Sequence, residues 1–198
     1  MNTVVSGITD LLITALYTVF VQNLVICSGL GMSEAMRVSN RPGTFLKFAA
    51  MISGFSTVTS LICCIIDNFF TTYPSYAFKA AFYGGVLASV YIITAVIVRI
   101  ATKDKELLSI LGIAALNTLV YAVPYINNSA AYSLWESIGS GLGAGIAFVL
   151  AAALIGSGVK VIENNKHIPA VFKGTPSLFL YVGLISLGFV GFTGRTLF

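Results

Sequence analysis

Six apolar runs, each close to the length of a bilayer-spanning helix, constrain this 198-residue chain more than anything else in it. They fall at 8–28, 45–66, 77–98, 107–125, 138–162 and 177–194, with polar or turn-rich breaks at 39–43, 71–75, 102–106, 127–129 and 163–167. A helix rising 1.5 Å per residue crosses the hydrocarbon core in about 20 residues. Hydrophobic residues make up 57% of the chain and charged residues only 9%, against about 25% charged in an ordinary soluble domain. Such a surface faces lipid. The sequence therefore predicts an all-α integral membrane fold with six transmembrane helices in a single membrane domain, 1–198. Residues 1–10 carry no basic n-region, and no small-residue cleavage site follows the first run, so that run is expected to be a span rather than a signal peptide.

The loops of a six-span chain alternate between two sides. One side receives Arg37, Arg41, Lys47, Arg99, Lys103, Lys105, Lys160, Lys166 and Lys173, and the other only Lys79 and Arg195. Basic loops stay cytoplasmic, so both termini are expected outside a prokaryotic cytoplasmic (inner) membrane. The net charge of +4 is scattered over short loops. Nucleic-acid binding needs a continuous basic patch, and none is present.

The two halves look related, as repeat one (about 1–100) and repeat two (about 101–198). Each places an Asn inside an apolar run, Asn23 in the first and Asn117 in the fourth. Three helices per half force the halves to run in opposite directions through the membrane. Inverted repeats of this kind build a midplane site from interrupted helices in corresponding positions, so the first and fourth helices are expected to be broken. An amide in lipid must be bonded across helices. Asn23 and Asn117 therefore either glue helices together or shape that site. The stretch 23–39 extends the first run as a Gly-broken, half-polar segment containing Gly31 and Glu34. Non-helical backbone at membrane depth persists only where protein or a cavity covers it. Glu34 is either an intramembrane carboxylate or a solvated loop charge three residues before Arg37, and the loop is favoured.

Other candidates reduce to packing or solvation. Cys27, Cys63 and Cys64 lie in apolar spans without metal-ligand spacing and read as small apolar residues. The run GSGLGAG at 139–145 lacks the strand and the Lys-Ser/Thr of a phosphate loop. Its Gly139/Gly143 and Gly141/Gly145 pairs suit close helix packing. His167 falls in a polar loop. No catalytic triad, paired carboxylates or soluble-cofactor motif is present, so the chain is expected to be non-catalytic by itself.

Two stretches carry a family resemblance. The first, Asn23-Leu-Val…Gly31-Met-Ser…Val38-Ser39, is similar to N-x-V-L…L-G-I-C-P-F-x-G-V-S. The second runs from LWESIGSGLGAGIAF (134–148) through IPAVFKGTP (168–176) to GLISLGFVGFTG (183–194), close to V-P-x-P-F-x-G…A-G-L-x-S-L-A-F-M-G-F-S-G. The whole chain resembles the six-helix RnfA/NqrE-type membrane subunits of the Rnf and Nqr redox-driven ion pumps. The resemblance implies pairing with a homologous subunit of opposite topology. It also implies a 2Fe-2S cluster held by two Cys thiolates from each partner, flavins on neighbouring subunits, and electron flow linked to Na⁺ or H⁺ movement. Thiolates are what such a cluster requires.

The chain departs from that pattern at the ligands. The family's first Cys falls on Ser33. The second, from T-N-C-A-V-L-G, falls on Thr118, or on Ala122 if the alignment gap is placed later; Thr118 is preferred because Asn117 and Asn127 then both align. Three readings follow. The favoured one is a divergent subunit of an Rnf/Nqr-like electron-transport complex that uses another carrier. In the second, Cys27 joins a partner's thiolates. In the third, the frame serves as a scaffold or channel. A transporter working through the inverted-repeat cavity without electrons is the alternative from a different functional class. The sequence names neither electron donor, acceptor nor coupling ion.

Overall fold

Helix α8 (Leu134–Asn164) is the element against which most of the others are laid in the computed structural model, which describes residues 2–39, 42–70, 73, 75–102, 104–169 and 171–193. Its start is fixed by a capping box. The Ser133 hydroxyl accepts from the Glu136 N–H, and the Glu136 carboxylate accepts from the Ser133 N–H at 2.8 Å. Two of the helix's orphan donors are thereby satisfied reciprocally.

Small residues then let two neighbours approach closely. Gly139 and Gly143 lie against α1 (Asn2–Phe20), where a Cβ on Gly139 would strike the Leu11 carbonyl and one on Gly143 would sit 2.8 Å from the Ala15 carbonyl oxygen. Gly141 and Gly145 lie against α4 (Pro42–Phe69), where a Cβ on Gly141 would come within 2.5 Å of the Thr57 Cα. Positions two apart on a helix are separated by about 200°. The interleaved pairs therefore clamp α8 between α1 and α4, one pair per side, and the packing role read from their spacing is what the structure displays.

Two of the apolar runs are interrupted. The first continues from α1 into α2 (Leu24–Ser28) and then α3 (Met32–Val38). The fourth divides into α6 (Lys105–Ala115) and α7 (Thr118–Ser129). The third and sixth runs form α5 (Tyr76–Ala101) and α9 (Thr175–Val190), the latter followed by a single 3₁₀ turn, Gly191–Thr193. Among the described residues no strand occurs. Four stretches among the described residues are long and apolar enough to cross a membrane: Gly43–Phe69, Tyr76–Ala101, Lys105–Ser129 and Leu134–Asn164. Val4–Phe20 and Thr175–Val190 are shorter apolar helices. Helix α5 turns Tyr83 and Leu87 inward and leaves Ile92, Ile93, Val96, Ile97 and Ile100 exposed, as a helix bathed in lipid should. Helix α9 is held by its polar atoms: the Ser186 hydroxyl donates to the Ile26 carbonyl at 2.6 Å, and Tyr181 donates to the Leu154 carbonyl at 3.1 Å.

Several boundaries differ from the sequence reading. The stretch 23–39 is mostly helical, two short helices joined through Gly29 and Gly31 at φ +69 and +75. Glu34 therefore stands on α3 and not in a loop. The polar residues 127–129 belong to the last turn of α7, where Asn127 bonds to buried Ser60, Asn128 to Asp67 and Ser129 back to the Tyr125 carbonyl of its own helix; the chain turns instead at 130–133. Glu163 and Asn164 are likewise helical. Asn40, Arg41, Thr71, Thr72, Pro74, Lys103, Gly194 and Arg195 lie outside the described residues.

Candidate functional site

Each interrupted run restarts on an asparagine cap. Asn23 precedes α2 in extended backbone (φ −68, ψ 98), and its side-chain oxygen accepts from the Ile26 N–H at 3.2 Å. Asn117 precedes α7 in the same way (φ −72, ψ 137), accepting from the Leu119 N–H at 2.9 Å. An Asn cap supplies a partner to backbone donors that a helix start leaves orphaned. In an apolar surrounding that need is acute. The two Asn residues singled out from sequence are thus the chemistry that allows a helix to stop and restart inside an apolar run.

Their remaining atoms differ. The Asn23 amide donates to the Val19 carbonyl at 3.1 Å and to the Ala147 carbonyl on α8 at 3.3 Å, so it also glues α1 to α8. The Asn117 amide nitrogen is buried and has no protein acceptor.

The two breaks meet. The Gly31 N–H donates to the Thr118 hydroxyl at 3.0 Å, and a Cβ on Gly31 would sit 2.7 Å from the Asn117 side-chain oxygen. Positive φ and this close approach both require glycine at 31. Beside the junction lies a cavity of about 360 Å³ lined by Ser33, Glu34, Gly112, Ile113, Leu116, Asn117 and Thr118. The structure therefore brings Ser33, Glu34, Asn117 and Thr118 onto one cavity, with Gly31 bonded to its rim. Glu34 is paired with Arg37 at 2.8 Å, its side chain about a quarter exposed and that of Arg37 half exposed. Asn23 lies outside this lining, on the α8 side. Cys27 is exposed on α2 and does not line the cavity. Gly29–Gly31 separates its helix from that of Ser33, so the two share no continuous helix face.

A second polar cluster went unmarked in the sequence. Asp67, in the last turn of α4, accepts from the Tyr73 and Tyr83 hydroxyls and from the Asn128 amide at 2.8 Å. Lys79 donates to the Asn128 side-chain oxygen and stands 5.4 and 5.5 Å over the Tyr73 and Tyr83 rings. Burial and the Asp67 carboxylate push the Tyr73 phenol above its ordinary range, so it remains a donor to Asp67. The available signal was an Asp near one span end and the Asn127-Asn128 pair near another. Cys63 is buried and Cys64 half-buried beside this cluster, the Cys64 thiol 3.6 Å from the Tyr132 carbonyl; His167 is exposed.

Residues 11–196 match the family described as "Rnf-Nqr subunit, membrane protein". The chain is 29% identical over 189 residues to an RnfA-type component of the ion-translocating oxidoreductase complex of Colwellia psychrerythraea, covering 94% of this chain and 97% of the relative. The proteins of the same name from Rhodobacter capsulatus (28% over 193 residues, 93% and 97% covered) and Pasteurella multocida (28% over 191 residues, 94% and 98%) are similar throughout their lengths. With apolar helices and a match of this extent, the chain belongs to the Rnf-Nqr family of membrane subunits. It is a multi-pass membrane protein.

The donor set suits no cluster. Ser33 and Thr118 offer hydroxyls, and that of Thr118 is already engaged by the Gly31 N–H. An iron–sulfur cluster is held by thiolates, or by imidazoles in one variant, and the cavity has neither. Among the described residues no group of three or more His, Cys, Asp and Glu is placed to hold a metal ion.

Proposed function

We propose that this chain is a membrane subunit of an Rnf/Nqr-like, ion-translocating electron-transport complex, and that it contributes architecture and no cluster ligand. Six helices form two inverted three-helix repeats, about 1–100 and 101–198. The two Asn-capped restarts are their corresponding interruptions. Both termini lie outside the cytoplasmic membrane, as the nine-to-two distribution of basic residues favours. A homologous subunit of opposite topology packs against the junction, which lies near the bilayer midplane, and flavins on neighbouring subunits carry electrons to and from the pair. Within the chain, Asn23 and Asn117 hold the restarts. Gly31 and Thr118 lock them together. Ser33 and Thr118 occupy the positions where the family resemblance expects thiolates.

The bond from Gly31 to Thr118 carries this reading, because it turns one expected ligand position into a structural brace. Iron, acid-labile sulfide and the visible spectrum of the purified native complex test it. The complex should retain NADH- or ferredoxin-driven reduction with no iron at this interface, and Cys27→Ser should leave its spectrum unchanged. A 2Fe-2S signal that disappears in Cys27→Ser would overturn the ligand-free site. Purification as a solitary monomer would overturn the pairing.

A further inference from the structure

A second cavity, of about 240 Å³, opens between the end of α4, the end of α7 and the start of α8. Its polar lining is rich in oxygen, with the Asp67 carboxylate, the side chains of Asn68, Asn127 and Asn128 and the Ser60 and Ser137 hydroxyls, and Cys64 is its one thiol. Two of these oxygens stand out. Asn127 is 3% exposed and donates its amide to the Ser60 hydroxyl at 2.6 Å, which orients its carbonyl oxygen; that oxygen has no protein donor. Ser137 is fully buried, and its hydroxyl has no protein partner. A buried acceptor left unpaired costs about 1–3 kcal/mol. Two in one cavity beside a carboxylate point to something that supplies positive charge and accepts oxygen ligands.

We propose that this cavity binds one partly hydrated alkali-metal cation, through the Asn127 carbonyl oxygen, the Ser137 and Ser60 hydroxyls and the Asp67 carboxylate. Hard oxygen donors suit such ions, and the site lacks the imidazole and thiolate sets of transition metals. Calcium sites gather several carboxylates around the ion, whereas one carboxylate lines this cavity. That carboxylate already accepts from Tyr73, Tyr83 and Asn128, and Lys79 stands next in the network on the Asn128 side-chain oxygen. It therefore offers an ion only part of its acceptor capacity, which suits weak, exchangeable binding of a single charge. The volume leaves room for the ion with several waters. Polar side chains continue inward along α4 from Ser60 to Thr59 and Ser56, both fully buried with hydroxyls unpartnered by protein. The cavity is thus the mouth of a hydroxyl-lined face. Its existence is independent of whether the complex carries a cluster.

Thermal unfolding of the complex, purified into nanodiscs in choline chloride and titrated with NaCl or KCl at constant ionic strength, tests the site. Na⁺ or K⁺ should raise the Tm saturably where choline does not. Ser137→Ala removes an unpartnered hydroxyl, so it should leave the Tm in choline unchanged or higher. It should raise the half-saturating cation concentration about tenfold, the equivalent of about 1.4 kcal/mol. Asn127→Asp adds a charge beside the ion and should lower that concentration. Identical Tm values in all three salts would overturn the proposal. So would a cation response that neither variant moves, which would assign it to another part of the complex.

Discussion

At the scale of single residues, Asn23 and Asn117 hold the same backbone position and do unequal work. Asn23 satisfies a helix start and two carbonyls on different helices, while Asn117 satisfies a helix start alone. Removing a cap costs about 1 kcal/mol, and stranding further buried groups adds about 1–3 kcal/mol. Asn23→Ala should therefore lower stability by about 2–3 kcal/mol and Asn117→Ala by about 1 kcal/mol. Thermal unfolding of the two variants side by side checks this, and equal losses would contradict the assigned bonding. That an Asn sits in each apolar run was plain from the sequence. Its capping role was not, because an amide bonded across helices and an amide bonded to its own helix start look alike in one dimension. Glu34 shows the same limit. Its spacing to Arg37 is visible in the sequence, but a solvated charge in a loop and an i,i+3 ion pair on a short helix have the same spacing.

At the scale of elements, α8 depends on what it lacks. A Cβ on Gly141 would press on the α4 backbone at Thr57, where no flexible side-chain end can yield, whereas a Cβ on Gly54 of α4 would meet nothing within 4 Å. Gly54→Ala should stabilise by about 1 kcal/mol through helix propensity alone. Gly141→Ala should destabilise despite the same gain, because the packed backbones must separate. Unfolding of both variants in one detergent checks the contrast, and stabilisation by both would show that the helices are not in contact. The small-residue spacing announced close packing at the level of sequence. Even the two-sidedness follows from the helical angle. Which helix fills which side does not, since α1 and α4 are both apolar and both carry small residues. The Asp67 cluster was illegible for a related reason. Its members come from α4, α5, α7 and the segment holding Tyr73, and none is unusual until the fold assembles them.

For the whole molecule, the topology reading gives a direct test. In a cysteine-free background, His167→Cys should react with a membrane-impermeant thiol reagent only in inverted vesicles, and Ser129→Cys only in intact cells. The reverse pattern would overturn the orientation drawn from the basic residues. The position of α8 between α1 and α4 also has a consequence for biogenesis. Both of its neighbours leave the ribosome well before it does, and each carries a face shaped for a helix not yet made. Until α8 is inserted, Ser53 and Thr57 of α4 lack the Gly141 and Gly145 surface they pack against in the finished bundle. The nascent chain must be sheltered by the insertion machinery through most of its synthesis, and the bundle closes late, around the fifth of its apolar runs.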